Sequence, residues 1–209
     1  MSKSRKRNLF FDLDGMKFNT LPAHVAYVNH RYGINTLPEE YIGKNDSFDS
    51  VIKRHATDVT LTWEGIYKDL GENFHSSVEW HKDVKPMEDM CEVVPLLSKK
   101  YNLYTVTARQ KNGQHVVQYL LDKYIPNCIR DIHCSWDYIP GVGFVEVQKK
   151  DFIQKTEGEN VAFFDDSLKE VKRAQNVITS HLFDPNSSYK DINGMNRIES
   201  WKRIGELYL

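Results

Sequence analysis

A chain of 209 residues with 28 Lys and Arg against 29 Asp and Glu carries a formal net charge of −1 at pH 7, so no global field recruits nucleic acid or an anionic membrane. Its 40% hydrophobic and 12% aromatic residues suit an ordinary globular fold with a substantial core, which excludes disorder as the working state. The basic stretch SKSRKR at 2–7 reads as a solvated tail, and no apolar run is long enough for a signal-peptide core or a membrane span, so the cytoplasm is the expected location. Cys91, Cys128 and Cys134 are odd in number and lack C-x-x-C spacing, which suggests reduced, buried thiols and neither a disulfide framework nor a zinc site.

Along the chain, Leu9, Phe10 and Phe11 read as a short buried strand that runs into two carboxylates, Asp12 and Asp14, and then Gly15. Residues 17–85 follow with helical signals at 21–32, 47–55 and 62–70, two of them ending at Gly33 and Gly71, and with no buried strand. From 86 onward helices alternate with strands. Helices are predicted over 87–99, 114–123, 149–155, 168–174 and 198–207, and strands over 102–108, 131–136, 160–166 and 177–183. The stretch 139–147 reads as a loop with room for a short strand, and 184–196 as a polar loop. This alternation predicts an α/β, Rossmann-like parallel sheet flanked by helices on both faces. The expected division is a core domain of 1–16 and 86–209, with 17–85 as a helical insert after the first strand. Ligand chemistry in such sheets gathers at the carboxyl ends of the strands.

Two strands end in acidic pairs, Asp12 with Asp14 and Asp165 with Asp166. Ionised carboxylates brought together in a buried place repel, and the natural offset is a cation; an oxygen-rich set of this kind suits Mg²⁺. The strand between them ends in Thr107, Ala108 and Arg109, with a hydroxyl donor and a guanidinium. A bound phosphate also needs a lysine nearby, and Lys149 and Lys150 stand ahead of the second acidic strand. Lys149 is favoured because Phe152 and Ile153, three and four residues on, form a buried helical face; Lys150 stays open.

DLDG, then a hydrophobic strand ending in threonine, then lysine, then a hydrophobic strand ending in DD resembles the haloacid dehalogenase-like hydrolase superfamily. The likeness covers 8–15 and about 86–183, with Met16 standing where the family usually has threonine. It implies that Asp12 is a nucleophile forming an aspartyl-phosphate and Asp14 the general acid/base. Asp14 also points to phosphoryl transfer, because the dehalogenases lack it. The likeness implies Mg²⁺ held by Asp12, the Asp14 backbone carbonyl, Asp165 and a phosphate oxygen, with Asp166 either a ligand through water or the orienter of the lysine. Thr107, Ala108 and one of Lys149 and Lys150 would hold the phosphate. Arg109 would sit beside it or in a surface ion pair.

By the same likeness 17–85 is a helical cap that closes over the substrate. Its Tyr27, Tyr41, Phe48, Trp63, Tyr67, Phe74 and Trp80 either stack on a nucleobase or pack a small core. The T-A-R sequence is similar to the T-x-R of nucleotidase-type members from bacteria and phages. The expected activity is phosphomonoester hydrolysis on a small molecule, a nucleoside or deoxynucleoside 5′-monophosphate first and sugar phosphates next. A polynucleotide end-phosphatase, with nucleic acid as partner, is a disfavoured alternative because a cap obstructs a polymer. A non-enzymatic binding module of the same fold is the other. His75 and His81, six apart, and His133, in a core strand, read as structural histidines rather than metal ligands.

Overall fold

In this computed structural model, residues 6–41, 48–57 and 60–209 are described. Residues 2–5 of the basic stretch and Ser47 of the predicted second helix lie outside them. The first strand, β1 (Arg7–Phe11), owes its place to three fully buried side chains: Leu9 and Phe11 point into one apolar cluster and Phe10 into another on the opposite face. A strand buried on both faces belongs in the middle of a parallel sheet. It is flanked there by β4 (Tyr101–Gln110) and β7 (Asn160–Asp165), both parallel to it.

The sheet has seven strands in the order β6-β5-β4-β1-β7-β8-β9, with β5 at Ile129–Ile139, β6 at Gly143–Glu146, β8 at Thr179–Phe183 and β9 at Asn196–Ile198. Only the β5–β6 pairing is antiparallel. Helices α5 (Met90–Lys100), α6 (Gln114–Tyr124) and α9 (Trp201–Tyr208) pack on the face of Leu9 and Phe11, while Ile153 of α7 (Lys149–Lys155) and Ala174 of α8 (Leu168–Ala174) pack with Phe10. Phe11 stacks on Phe164 at 4.8 Å and meets the Trp201 ring at 5.2 Å. The Trp201 indole also donates to the Met16 carbonyl at 2.8 Å, tying the last helix to the loop after β1.

Between β1 and α5 lies a helical layer: α1 (Leu21–Tyr32), α2 (Phe48–His55), α3 (Trp63–Asp69), a π-helical turn at Leu70–Phe74 and α4 (Val78–His81). It has its own apolar cluster of Tyr27, Val28, Ile52, Ile66, Leu70 and Phe74. Its two ends are joined by the short antiparallel pair β2 (Phe18–Asn19) and β3 (Lys85–Pro86).

The fold class agrees with the sequence reading, and the differences have local causes. The stretch 139–147 is a hairpin: β5 runs on to Ile139, and Gly141 and Gly143, with φ of +81° and +96°, turn the chain back into β6. The predicted helix at 87–99 starts three residues late because Asp89 sits at φ +60°. The predicted helix at 198–207 absorbs the end of β9; it starts instead at Trp201, where the Ser200 hydroxyl accepts from the Arg203 amide. Cys134 is buried, but Cys91 is exposed, contrary to expectation, on the solvent side of α5.

Candidate active site

The loop after β1 is built tightly. The Leu13 carbonyl accepts from the Lys17 and Phe18 amides, and the Gly15 amide donates to the Phe18 carbonyl. Gly15 has φ +70°, and a Cβ there would lie 2.1 Å from Oδ2 of Asp166, so only glycine lets the second acidic strand approach this loop. Lys17, which the sequence reading passed over, is fully buried and donates to the carbonyls of Phe11 and Asp12 at 3.1 and 2.8 Å. Burial pulls its ammonium down to about 7, against the attraction of Asp12.

Asp12 and Asp165 end adjacent strands and share one cation. Lys149, at the start of α7, donates to Oδ1 of Asp12 at 2.5 Å and to Oδ2 of Asp165 at 2.7 Å, with all three side chains almost completely enclosed. Lys150 takes no part in this cluster. The lysine is therefore oriented by Asp165, which also accepts from the Ser167 amide at 2.8 Å, and not by Asp166. Burial and then the neighbouring acids drive the Asp166 carboxyl well up; burial also raises Asp12, and it pushes Asp165 to about 7 against the pull of Lys149. Lys149 keeps its proton well above the ordinary lysine range, since Asp12 and Asp165 outweigh its own burial.

Asp12, Asp165 and Asp166 each offer an oxygen within 4.8 Å of the others. Three carboxylates beside one ammonium form an oxygen-only, electron-rich donor set, which fits a hard divalent cation. The Asp14 carboxylate is not in this group.

Asp14 is instead gripped by Arg109, whose Nε and Nη2 donate to its two oxygens at 2.9 and 2.8 Å. The Arg109 side chain is 1% exposed and the Asp14 side chain 35%, so the pair is a half-buried fork opening on the cavity and not the surface ion pair that the sequence left open. Burial would raise the Asp14 carboxyl, but the Arg109 guanidinium reverses this and holds it well below the usual carboxylate range. Thr107 is buried where β4 breaks its register with β5, and its hydroxyl accepts from the Arg109 amide at 3.3 Å. Ala108 lies between them on the same cavity wall.

These groups floor a cavity of about 1130 Å³. From the helical layer it is lined by Tyr41, Phe48, Trp63 and Tyr67, and from the hairpin by Phe144 and Trp136. Tyr27 and Phe74 belong to the layer's own core and Trp80 packs edge-on against Tyr27, while Tyr41, Phe48 and Tyr67 pack against that core and line the cavity as well. His24, also missed from the sequence, is stacked between Phe48 at 4.0 Å and Phe74 at 4.5 Å. His81 is a structural histidine, its Nδ1 bonded to the Ser77 carbonyl at 2.8 Å, and His133 stacks on Phe152 at 4.4 Å. His75 lines the cavity and lies close enough to Arg109 and Asp14 to feel their charges.

The fold recurs in solved structures. A provisionally assigned phosphatase from Clostridium difficile is 16% identical, with a TM-score of 0.70 over 99% of this chain and 100% of that one. CbbY from Rhodobacter sphaeroides, solved with phosphate, is 13% identical with a TM-score of 0.64, covering 96% and 97%. YfnB from Bacillus subtilis, bound to magnesium, is 15% identical with a TM-score of 0.59, covering 98% and 99%. No curated protein matches the sequence significantly. The family model described as 5′ nucleotidase, deoxy (Pyrimidine), cytosolic type C protein matches residues 6–209, nearly the whole chain. The chain therefore belongs to that nucleotidase family and is a phosphatase of the haloacid dehalogenase-like superfamily.

Proposed function

We propose that the protein hydrolyses a deoxynucleoside or nucleoside 5′-monophosphate with Mg²⁺ through an aspartyl-phosphate on Asp12. The observation that carries this reading is Lys149 bridging Asp12 and Asp165, with Asp166 beside them, on the floor of an aromatic-walled cavity. Lys149 occupies Oδ1 of Asp12, which leaves the other oxygen for in-line attack on phosphorus. As that bond forms, the bond from phosphorus to the sugar oxygen breaks, and Asp14, held ionised by the Arg109 fork before substrate arrives, delivers to the departing oxygen a proton it takes up from solvent as the anionic phosphate binds beside it. Asp14 then takes a proton from the water that hydrolyses the acyl phosphate. The Thr107 hydroxyl and the Lys149 ammonium hold the remaining phosphate oxygens.

Asp12, Asp165 and Asp166 would hold the magnesium ion, with the Asp14 carbonyl as a further ligand. When bound, it screens the phosphate dianion from the nucleophile and draws charge off the phosphoryl oxygens. The helical layer serves as a lid that keeps bulk water from the acyl phosphate. Its aromatic wall supplies a face for the base, and the family description names a pyrimidine deoxynucleotide substrate.

The test is phosphate release from a panel of nucleoside and deoxynucleoside monophosphates, sugar phosphates and phosphorylated oligonucleotides, with and without Mg²⁺. Magnesium-dependent release, fastest on a deoxynucleoside 5′-monophosphate and abolished in Asp12→Asn, is expected. Preference for oligonucleotide ends, or release unchanged in Asp12→Asn, would overturn the reading.

A further inference from the structure

Residues 107–115, which carry the phosphate-side groups, also clasp the helical layer. Gln110 Nε2 donates to the Tyr67 carbonyl at 2.7 Å, and Asn112 Nδ2 donates to the Gly71 carbonyl at 3.0 Å. The His115 ring bridges the carbonyls of Asn112 and Ser76, 3.0 Å from each. Two glycines make the approach close. A Cβ on Gly71 would fall 2.0 Å from the Gln110 amide nitrogen, and one on Gly113 would fall 2.8 Å from the His75 carbonyl oxygen. The three clasped carbonyls of the layer, at 67, 71 and 76, lie in its π-helical turn or within three residues of it, an irregularity that frequently marks functional positions.

One residue before Gln110 stands Arg109, whose fork fixes both oxygens of Asp14. A planar two-bond fork tolerates little displacement before one bond is lost. A shift of the layer that moves Gln110 and Asn112 is therefore carried along a short stretch of backbone to the Asp14 carboxylate. We propose that Gln110 and Asn112 are positioning residues that couple docking of the helical layer to the alignment of Asp14, acting through Arg109. The inference rests on the reading of Asp14 as the acid that protonates the leaving oxygen. Its consequence is that proton delivery is set when the layer is seated over the substrate.

Leaving groups separate this from simple structural support. A nucleotide sugar oxygen needs a proton to depart, whereas p-nitrophenolate leaves readily without one. The experiment measures, in single turnover, the rate at which the leaving group departs from a deoxynucleoside 5′-monophosphate and from p-nitrophenyl phosphate, a step ahead of the acyl-phosphate hydrolysis in which Asp14 also acts, together with KM, for Asn112→Ala, Gly71→Ala and Asp14→Asn, with melting temperatures recorded. Asn112 is exposed, so its truncation leaves the fold intact. Asn112→Ala is expected to lower that rate on the nucleotide about 10-fold, a part of what a general acid contributes, and to change it on p-nitrophenyl phosphate by less than about twofold. Gly71→Ala, which pushes a methyl into Gln110, is expected to show the same split more strongly, and Asp14→Asn the largest of all. Equal losses on both substrates, or a change in KM alone, in Asn112→Ala and Gly71→Ala would overturn the coupling while leaving the role of Asp14 standing. No split in Asp14→Asn would overturn that role, and the coupling with it.

Discussion

The carboxyl edge of the sheet and the helical layer above it enclose one cavity with opposite chemistry. The edge is rich in ionisable groups, and most are fixed by named partners: Lys149 by Asp12 and Asp165, Asp14 by Arg109, Lys17 by two carbonyls. The layer meets the same space with Tyr41, Phe48, Trp63, Tyr67 and histidines held neutral. Buried charges demand individual partners, because each unpaired one costs several kcal/mol. An aromatic wall demands only shape and area, so substrate preference can vary there without disturbing the chemistry below.

The contrast breaks most severely at Lys149. Lys149→Met leaves Asp12 and Asp165 facing each other without their cation and is expected to cost about 3–5 kcal/mol in urea unfolding, together with loss of turnover. Recovery of part of that stability with added Mg²⁺ would sharpen the view that the acids share a cation requirement. Gly15→Ala comes next. The added methyl meets Asp166 Oδ2 and forces a left-handed residue, so a loss of about 1–3 kcal/mol is expected, with weaker magnesium binding by titration calorimetry.

On the layer side the effects are smaller and of a different kind. Phe48→Ala, which removes the ring stacked on His24, is expected to raise KM for a nucleotide about 10-fold and to spare kcat, as lost stacking on a base predicts. The layer's other effect is with pH. Burial lowers His81 from 6.5 to about 4 and His24 to about 3, so both are neutral when folded and bind protons more readily when unfolded. Their contribution to stability is fully present above pH 6.5 and is lost as the pH falls toward 4 and then 3. Urea midpoints that fall from pH 6.5 to pH 4, and fall less in His81→Leu, are the expected record.

The edge was legible in the sequence because its chemistry comes as short motifs tied to strand ends. DLDG, T-A-R and DD each sit where a buried strand stops, KK opens the helix ahead of the last of them, and parallel topology gathers those stops. What the sequence could not yield were distances across the fold. The choice of Lys149 over Lys150 had only a helical-face argument behind it, and Arg109 joining Asp14 depended on residues 95 positions apart. Lys17 gave no signal, since a lysine after a turn is usually solvated and here its partners are backbone carbonyls. In the layer, helices were visible from their spacing. The division of aromatic residues between cavity and core was not, because helical periodicity marks an apolar face without saying what covers it. The 139–147 hairpin was hidden by its glycines, which signal a turn equally well in a loop.

The proposed chemistry turns on a phosphoryl group carried by Asp12. Its most direct test is acid-quenched single turnover with a deoxynucleoside 5′-monophosphate bearing a radioactive phosphate, followed by peptide mapping. A transient, base-labile phosphate on the peptide containing Asp12, formed with magnesium and absent in Asp12→Asn, is expected. Phosphate released at full rate with no label ever on that peptide would contradict it.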